Sequence, residues 1–457
     1  MDSTPIIERD LWPALRNELG SREILVITGP RQVGKTTTLK WLIGQIPDNT
    51  LYLDLTLVSA QRLFESEDFD GVANALRGFG LDLSRRAVVA VDEIQYVKQS
   101  PRVVKYLYDH YGIKFILSGS SAFYLKNHFS ESLSARKIVF ELLPLSFREF
   151  LAIKGARFIP PRVDFAALAE IKFDTFAYEA LTALYEEYIA YGGFPAVALS
   201  DTGERKRRML DVIYSSYINL DVMQLADFKS IADLKKLVVL LAARVGSRLN
   251  IDELSKIIGL SRPTVMNYIA FLEQTYLIRL LPAYAKSPSV RERIPRKVFF
   301  VDTGIANINA DLSGGAQFEN TLCHQLQPYG AVTFSNRGGE IDFVLARDGR
   351  TFALRSQDDS RGAASRRLAK TCRANRARRL MPSWGAILPQ RSTIACGEGA
   401  FEDISRVPLN ESKDRDSPAF PGRTGKRASG LTGSINARIG RCPRGRGQSS
   451  LPSAGRS

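Results

Sequence analysis

A chain of 457 residues with a net charge of +15 is long enough for two to four domains and basic enough to suggest a nucleic-acid partner. The charge is unevenly placed: residues 355–457 hold 21 basic and 8 acidic residues, whereas residues 1–354 hold 42 and 40, so the whole-chain value says nothing about the body. No run of about 18 apolar residues occurs, so no membrane span is expected. Cys323, Cys372, Cys396 and Cys442 form no C-x-x-C, and the three histidines are scattered, which argues against a zinc ribbon and a His-based metal site. With an acidic start that lacks a signal-peptide core, this predicts a cytoplasmic protein with free thiols.

Glu8 to Leu19 reads as an amphipathic helix interrupted near Pro13. Ile24-Leu25-Val26-Ile27 is an apolar, β-branched run and reads as a buried strand. Gly29-Pro30-Arg31-Gln32-Val33-Gly34-Lys35-Thr36 follows it and fits G-x-x-x-x-G-K-[ST], with a helix expected over Thr37 to Ile43. Strand, glycine-rich turn and helix start form the context of a phosphate site. The glycines let successive N–H groups point inward at phosphate oxygens, and the helix N-terminus adds its positive dipole end. Gly29, Pro30, Arg31, Gln32, Val33, Gly34, Lys35, Thr36 and Thr37 are therefore the candidate nucleotide cradle. Lys35 is placed to reach the β- and γ-phosphates, and the Thr36 hydroxyl to ligate Mg2+.

Thr50 to Leu55 reads as a second strand, with Asp54 at its end either capping a helix, the commoner role, or facing the nucleotide site. Ala87-Val88-Val89-Ala90-Val91 is a third, fully apolar, and it ends in Asp92-Glu93-Ile94-Gln95. Carboxylates at the C-terminal edge of a parallel strand stand where open α/β sheets bind ligands. Asp92 is the candidate holder of Mg2+ through water, and Glu93 the group that polarises the attacking water. Pro101 opens a helix to about Tyr111. Lys114 to Ser121 is the next strand, ending in small polar residues, with Ser118 and Ser120 as γ-phosphate sensor candidates.

The strings GPRQVGKT, VDEIQ, LSGSS, ESLSAR and LPLSFREFL, with Tyr191-Gly192-Gly193-Phe194-Pro195 and Val301-Asp302-Thr303-Gly304, together resemble one family. It comprises prokaryotic AAA-type ATPases that carry a C-terminal domain of uncharacterised function. The likeness spans about Leu11 to Leu354. It implies a P-loop ATPase using ATP and Mg2+, and a homo-oligomer in which Arg136 serves as an arginine finger for a neighbour. That family usually has Gly where this chain has Ala135. No N-K-x-D motif for reading guanine is present.

Residues 151–229 read as a helical connector, in which Leu184, Tyr188 and Tyr191 make a core stripe and Gly192 to Pro195 a turn. Residues 230–301 read as a winged helix-turn-helix. Asn250 and Ser261 cap two helices around Gly259, and two strands around Leu277–Leu280 and Lys297–Val301 flank a loop carrying Lys286, Arg291, Arg293 and Arg296. In a DNA-binding mode, Arg262, Thr264, Asn267 and Tyr268 would line the exposed face of the second helix. For residues 302–354 the resemblance implies a truncated restriction-nuclease-like unit. Glu319 and Asp342 match its first two carboxylates, but the E-x-K that should follow is replaced by Arg355-Ser356-Gln357, so nuclease chemistry is not expected.

The reading is thus an α/β P-loop NTPase domain with a parallel sheet over residues 1–150, then the connector, the winged helix, the partial nuclease-like unit and a disordered tail over 355–457. Its activity is Mg2+-dependent ATP hydrolysis coupled to a DNA or protein partner. An ATP-controlled DNA-binding regulator with negligible turnover uses the same residues. A defence or toxin–antitoxin interaction module is neither favoured nor opposed by any residue here.

The tail is expected to be the product of out-of-frame reading or of a damaged gene, the rival being a genuine basic tail that binds nucleic acid. Arg, Ser, Gly and Pro dominate it, Tyr is absent, and the change of texture falls within a strand rather than at a linker. Reading the gene beyond codon 354 in the other two frames should reveal an apolar strand with Glu-x-Lys, followed by a helix–strand pattern. Two closed frames, or frames without that pattern, would refute this.

Overall fold

The computed structural model describes residues 8–120, 136–160, 176, 179–222, 230–285, 287–335, 341–347, 350–355 and 395–398. The described part lies in one compact unit, Met1–Val407. Its centre is a sheet of β1 (Ile24–Thr28), β2 (Thr50–Asp54), β3 (Val88–Asp92), β4 (Lys114–Gly119) and β5 (Lys137–Glu141), in the order β2-β3-β4-β1-β5 with every pairing parallel. Ile24 and Val26 of β1 enter one core, and Leu25 and Ile27 the other. Burial on both faces is why β1 and β3 carry four-residue apolar runs, Ile24–Ile27 and Val88–Val91, and why β4 has Phe115–Leu117 at its centre. All five C-terminal strand ends meet at one edge, so the phosphate loop after β1 and the carboxylates after β3 emerge side by side.

Helices fall where caps allow. Pro13 stands at the start of helix α1 (Trp12–Asn17) rather than interrupting it, because a proline in the first turn sacrifices no helical hydrogen bond. Asp54 caps a turn rather than a helix: its Oδ1 accepts from Thr56 N at 2.9 Å and from Thr56 Oγ1 at 2.7 Å, while helix Val58–Phe64 begins after Leu57 without a side-chain cap.

Beyond the sheet come helices Ile231–Ala242, Ile251–Ile258 and Arg262–Gln274, then strands β6 (Ile278–Leu281) and β7 (Lys297–Phe300) paired antiparallel. Asn250 Oδ1 and Ser261 Oγ cap the second and third of these helices, and Gly259 closes the second at φ 80°. The connection between β6 and β7 is not a bare loop; it contains the helix Pro288–Arg293. A helix Gly314–Leu326 and an antiparallel sheet of β8 (Ala331–Ser335), β9 (Ile341–Arg347), β10 (Arg350–Arg355) and β11 (Ala395–Glu398) complete the described residues. Strand β11 corrects the expectation that everything beyond residue 354 is disordered. Its backbone pairs with β10 from Phe352↔Glu398 to Arg355↔Ala395. The free edge of β10 needs hydrogen-bond partners, and this segment provides them. The rest of the tail lies outside the described residues.

One core cluster passes from the ATPase sheet (Leu25, Ile27) through Phe147 and Tyr188 to Leu237, Phe271 and Phe299, so the two halves share apolar packing. Gly192–Gly193, read as a turn, is where they interlock. Leu145 N donates to Gly193 O at 2.7 Å, and Gly193 N donates to Asp302 Oδ2 at 2.7 Å. Asp302 also caps the helix Thr303–Asn309 through Ile305 N. Burial pushes its carboxyl up to about 6, against the pull of these N–H donors. A Cβ on Gly193 would sit 2.4 Å from Leu145 O, and no flexible side-chain end is there to yield. Gly193→Ala should therefore cost about 2–4 kcal/mol, lowering Tm by about 5 °C or more. Gly314→Ala, with nothing within 4 Å, should be neutral or slightly stabilising. Calorimetry of the two variants checks this, and equal melting points would refute it.

Candidate functional site

The phosphate loop joins β1 to α2 (Lys35–Ile43). Its backbone curls through positive φ at Gly29 (150°), Gln32 (61°) and Gly34 (98°), which turns peptide groups alternately inward and outward. Gly29 cannot be replaced: a Cβ there would lie 2.0 Å from Leu142 O. Lys35 is buried, and its Nζ donates to Gly29 O at 3.0 Å and Pro30 O at 2.7 Å. Thr36 and Thr37 are exposed at the start of α2.

Asp92 gathers the polar groups opposite the loop. Its Oδ2 accepts from Thr36 Oγ1 at 2.6 Å and from Tyr52 OH at 2.9 Å, and its Oδ1 accepts from Ser118 Oγ and from Glu93 N. Desolvation and the Asp92 charge push the Tyr52 phenol far above its usual range, so it stays a donor. Thr36 and Asp92 thus meet directly. Two hard oxygen donors suit Mg2+, an ion that completes its shell with water and substrate phosphates. Among the described residues no group of three or more His, Cys, Asp or Glu could hold a metal unaided.

Glu93 has a left-handed backbone, φ 53°, and this turn directs it away from the strand. Its Oε2 accepts from Gln95 Nε2, which also donates to Ser120 Oγ at 3.0 Å. Ser118, not Ser120, touches the Asp92 carboxylate, and Ser120 is linked to Glu93 through Gln95. Sequence reasoning missed the parts of Gln95 and Tyr52. Gln95 is visible in hindsight as the polar residue two places after Glu93, and Tyr52 as the one polar aromatic on β2.

Arg136 is not brought to its own phosphate loop. Ile24 pairs with Lys137, so Arg136 stands at the N-terminal edge of the sheet while the loop leaves the C-terminal edge. Five strand residues separate them by about 15 Å. Its Nε donates to Asp109 Oδ1 at 3.1 Å. Ala135 and the rest of the ESLSA string lie outside the described residues.

The C-terminal module differs from expectation on one face. Tyr268, expected on the exposed face of helix Arg262–Gln274, is core at 4% exposure, because helical spacing puts it in line with Val265 and Leu272. The exposed face holds Arg262, Pro263, Met266, Asn267 and Ala270, and Arg262 is paired with Asp252. Arg291 and Arg293 are exposed beside the hairpin; Lys286 lies outside the described residues. Glu319 and Asp342 do come together, around a lysine that sequence spacing did not supply. Lys297 Nζ of β7 lies 3.4 Å from Glu319 Oε1 and 3.9 Å from Asp342 Oδ1.

Residues 21–151 match the family model of the AAA domain, and residues 182–315 match a domain of unknown function, DUF8612. The chain carries an AAA-type P-loop ATPase domain. An uncharacterised protein of Methanocaldococcus jannaschii is 25% identical over 358 residues, covering 74% of this chain and 75% of the relative. One of Haemophilus influenzae is 27% identical over 310 residues, covering 65% and 72%. Among solved structures, the Thermotoga maritima RuvB Holliday junction branch migration motor overlaps 64% of this chain and 92% of its own at 16% identity, with a TM-score of 0.31. That overlay is too loose for residue-level correspondence. Among the described residues no helix is long and apolar enough to cross a membrane.

Proposed function

We propose that this AAA-type ATPase domain binds and hydrolyses ATP with Mg2+ and passes its nucleotide state to the C-terminal module, a winged helix. The observation that carries the reading is the 2.6 Å contact between Thr36 at the loop and Asp92 at the end of β3. The loop N–H groups and Lys35 hold the phosphates, while Thr36 and Asp92 hold Mg2+, the latter through water. Mg2+ would neutralise charge developing between the β- and γ-phosphates. Glu93 orients the attacking water. Arg136, remote from its own loop, would serve a neighbouring copy in a homo-oligomer.

Support for coupling comes from Tyr276, between helix Arg262–Gln274 and β6. Its hydroxyl donates to Thr28 Oγ1 at 3.1 Å, one residue before Gly29, and its backbone holds φ 62°. A bulky residue in that conformation costs on the order of 1–3 kcal/mol, a strain typical of switch positions. Arg279 of β6 also reaches Glu141 at the end of β5, at 3.1 Å. The exposed Arg291 and Arg293 suit a polyanion such as duplex DNA. A regulator with negligible turnover is favoured by one feature: Gln95 engages the Glu93 carboxylate that would orient water.

Lys35→Ala should abolish ATP binding. Glu93→Gln should keep binding and lose turnover by roughly two orders of magnitude. Phosphate release measured with and without duplex DNA checks both, and wild-type hydrolysis by Glu93→Gln would refute the assigned role. Absence of turnover under every condition, with binding intact, would favour the regulator.

If the Tyr276 contact is the relay, ATP should slow amide exchange in residues 262–285 of the wild type. Tyr276→Phe should lose most of that protection while its ATP affinity stays within about threefold. Equal protection in both proteins would exclude Tyr276 as the relay.

A further inference from the structure

We propose that Arg9 is a positioning residue for the phosphate loop. The inference rests on reading Gly29–Thr36 as a nucleotide site and adds a residue that no sequence pattern assigned to it.

A phosphate cradle works when its N–H groups face inward. The intervening carbonyls then face outward, and where they are buried they need donors behind the loop. Val33 is fully buried, and its carbonyl accepts from Arg9 Nη1 at 2.7 Å. This bond fixes the Val33–Gly34 peptide, whose other end is the Gly34 N–H. The same guanidinium donates through Nη2 to Leu143 O at 2.7 Å and through Nε to Glu149 Oε1 at 2.9 Å. One planar fork therefore satisfies three acceptors on three chain segments, at 7% exposure. A lysine ammonium at one point has no such reach.

The far side is equally fixed. Glu149 Oε1 also accepts from Asp10 N at 2.6 Å, and its Oε2 accepts from Ser146 N at 2.7 Å in a capping box. Asp10 accepts in turn from Ser146 Oγ and Arg148 Nη1, both at 2.9 Å. The guanidinium is thus held from behind and presented to the loop. Its nearest nitrogen lies 3.8 Å from where a Cβ on Gly34 would be.

The test uses the full chain with ATP and Mg2+. Arg9→Lys keeps the charge beside Glu149. Arg9→Met/Glu149→Gln removes both charges and leaves no buried ion unpaired. Near-UV circular dichroism of the stacked Trp12–Trp41 pair, whose ring centres are 4.1 Å apart, reports folding. For the folded variants, well below their melting points, the ATP Kd and KM should rise at least tenfold while kcat stays within about threefold. A role confined to the core would lower Tm and leave Kd unchanged, and that outcome overturns the proposal. So does a loss of kcat at wild-type KM, or a failure of both variants to fold. If the wild type binds ATP and Lys35→Ala does not, an unchanged Arg9 variant sinks this proposal alone. If the wild type binds no ATP, the nucleotide reading fails and takes this proposal with it.

Discussion

The backbone of residues 142–146 is the constraint on which both halves of the molecule depend. Leu142 N donates to Thr28 O at 2.7 Å, and Leu142 O lies 2.0 Å from where a Cβ on Gly29 would be. Leu143 O accepts from Arg9. Leu145 N and O are bonded to Gly193 O and Tyr188 OH, each at 2.7 Å, and Ser146 begins the helix Phe147–Ile153. Buried peptide groups must be paired, and here each pairs with a different part of the chain. Pro144 adds rigidity without adding a donor that would need an acceptor. The phosphate loop, the N-terminal segment and the glycine pair before Phe194 are thereby fixed to one short strand exit.

What was legible in the sequence follows from this. The phosphate loop and the Asp92–Glu93 pair are read from side-chain types at fixed spacing, and the parallel strands from unbroken apolar runs. Helix caps such as Asn250 and Ser261 are local and were equally plain. LPLSFREFL, YGGFP and VDTG, by contrast, were recognisable only through resemblance. Their role is to tie distant segments together, as where Gly193 N donates to the Asp302 carboxylate 109 residues away, and no periodicity encodes that. Arg9 and Lys297 escaped for the same reason: each acts on partners far away in sequence. Tyr268 went wrong because a helix with a mixed face leaves its buried side ambiguous until its neighbours are known.

Two of the buried cations, Arg9 and Lys297, have different surroundings and do different work. Arg9 uses its whole fork on directional acceptors, two of them carbonyls, and so fixes geometry. Lys297 sits between two carboxylates, Glu319 and Asp342, at 3.4 and 3.9 Å, and its charge is offset rather than aimed. Gly246 lets Glu319 approach, since a Cβ there would lie 2.5 Å from Glu319 Oε2. Breaking either cluster on one side would leave an unpaired buried charge. Only the first cluster touches the phosphate loop. A nuclease-like reading of the second must contend with an ammonium already shared by its carboxylates.

The proposed relay follows from where Lys35 rests. Its ammonium bonds Gly29 O and Pro30 O, the carbonyls at the leading edge of the loop. A triphosphate competes for the same ammonium, and its anionic oxygens are the stronger acceptors. Once Lys35 turns to them, the Gly29 and Pro30 carbonyls need other partners, so the leading edge is the part of the loop whose bonding changes most. Pro30 and Arg31 line a small cavity there with Tyr217, Thr275, Tyr276 and Asp302, and Tyr276 is bonded to Thr28 beside it. Tyr217 OH and Thr275 Oγ1 are bonded at 2.7 Å, which ties the end of helix Gly203–Ser216 to the end of helix Arg262–Gln274. A strained tyrosine held by a hydroxyl contact at that edge competes with a relaxed backbone conformation, so a change in the loop's bonding that favours the contact shifts the balance toward the held state. The C-terminal module is therefore attached at the point in the ATPase domain where bound nucleotide, on the proposed reading, would change the hydrogen bonding, which is what a transmission between the two requires.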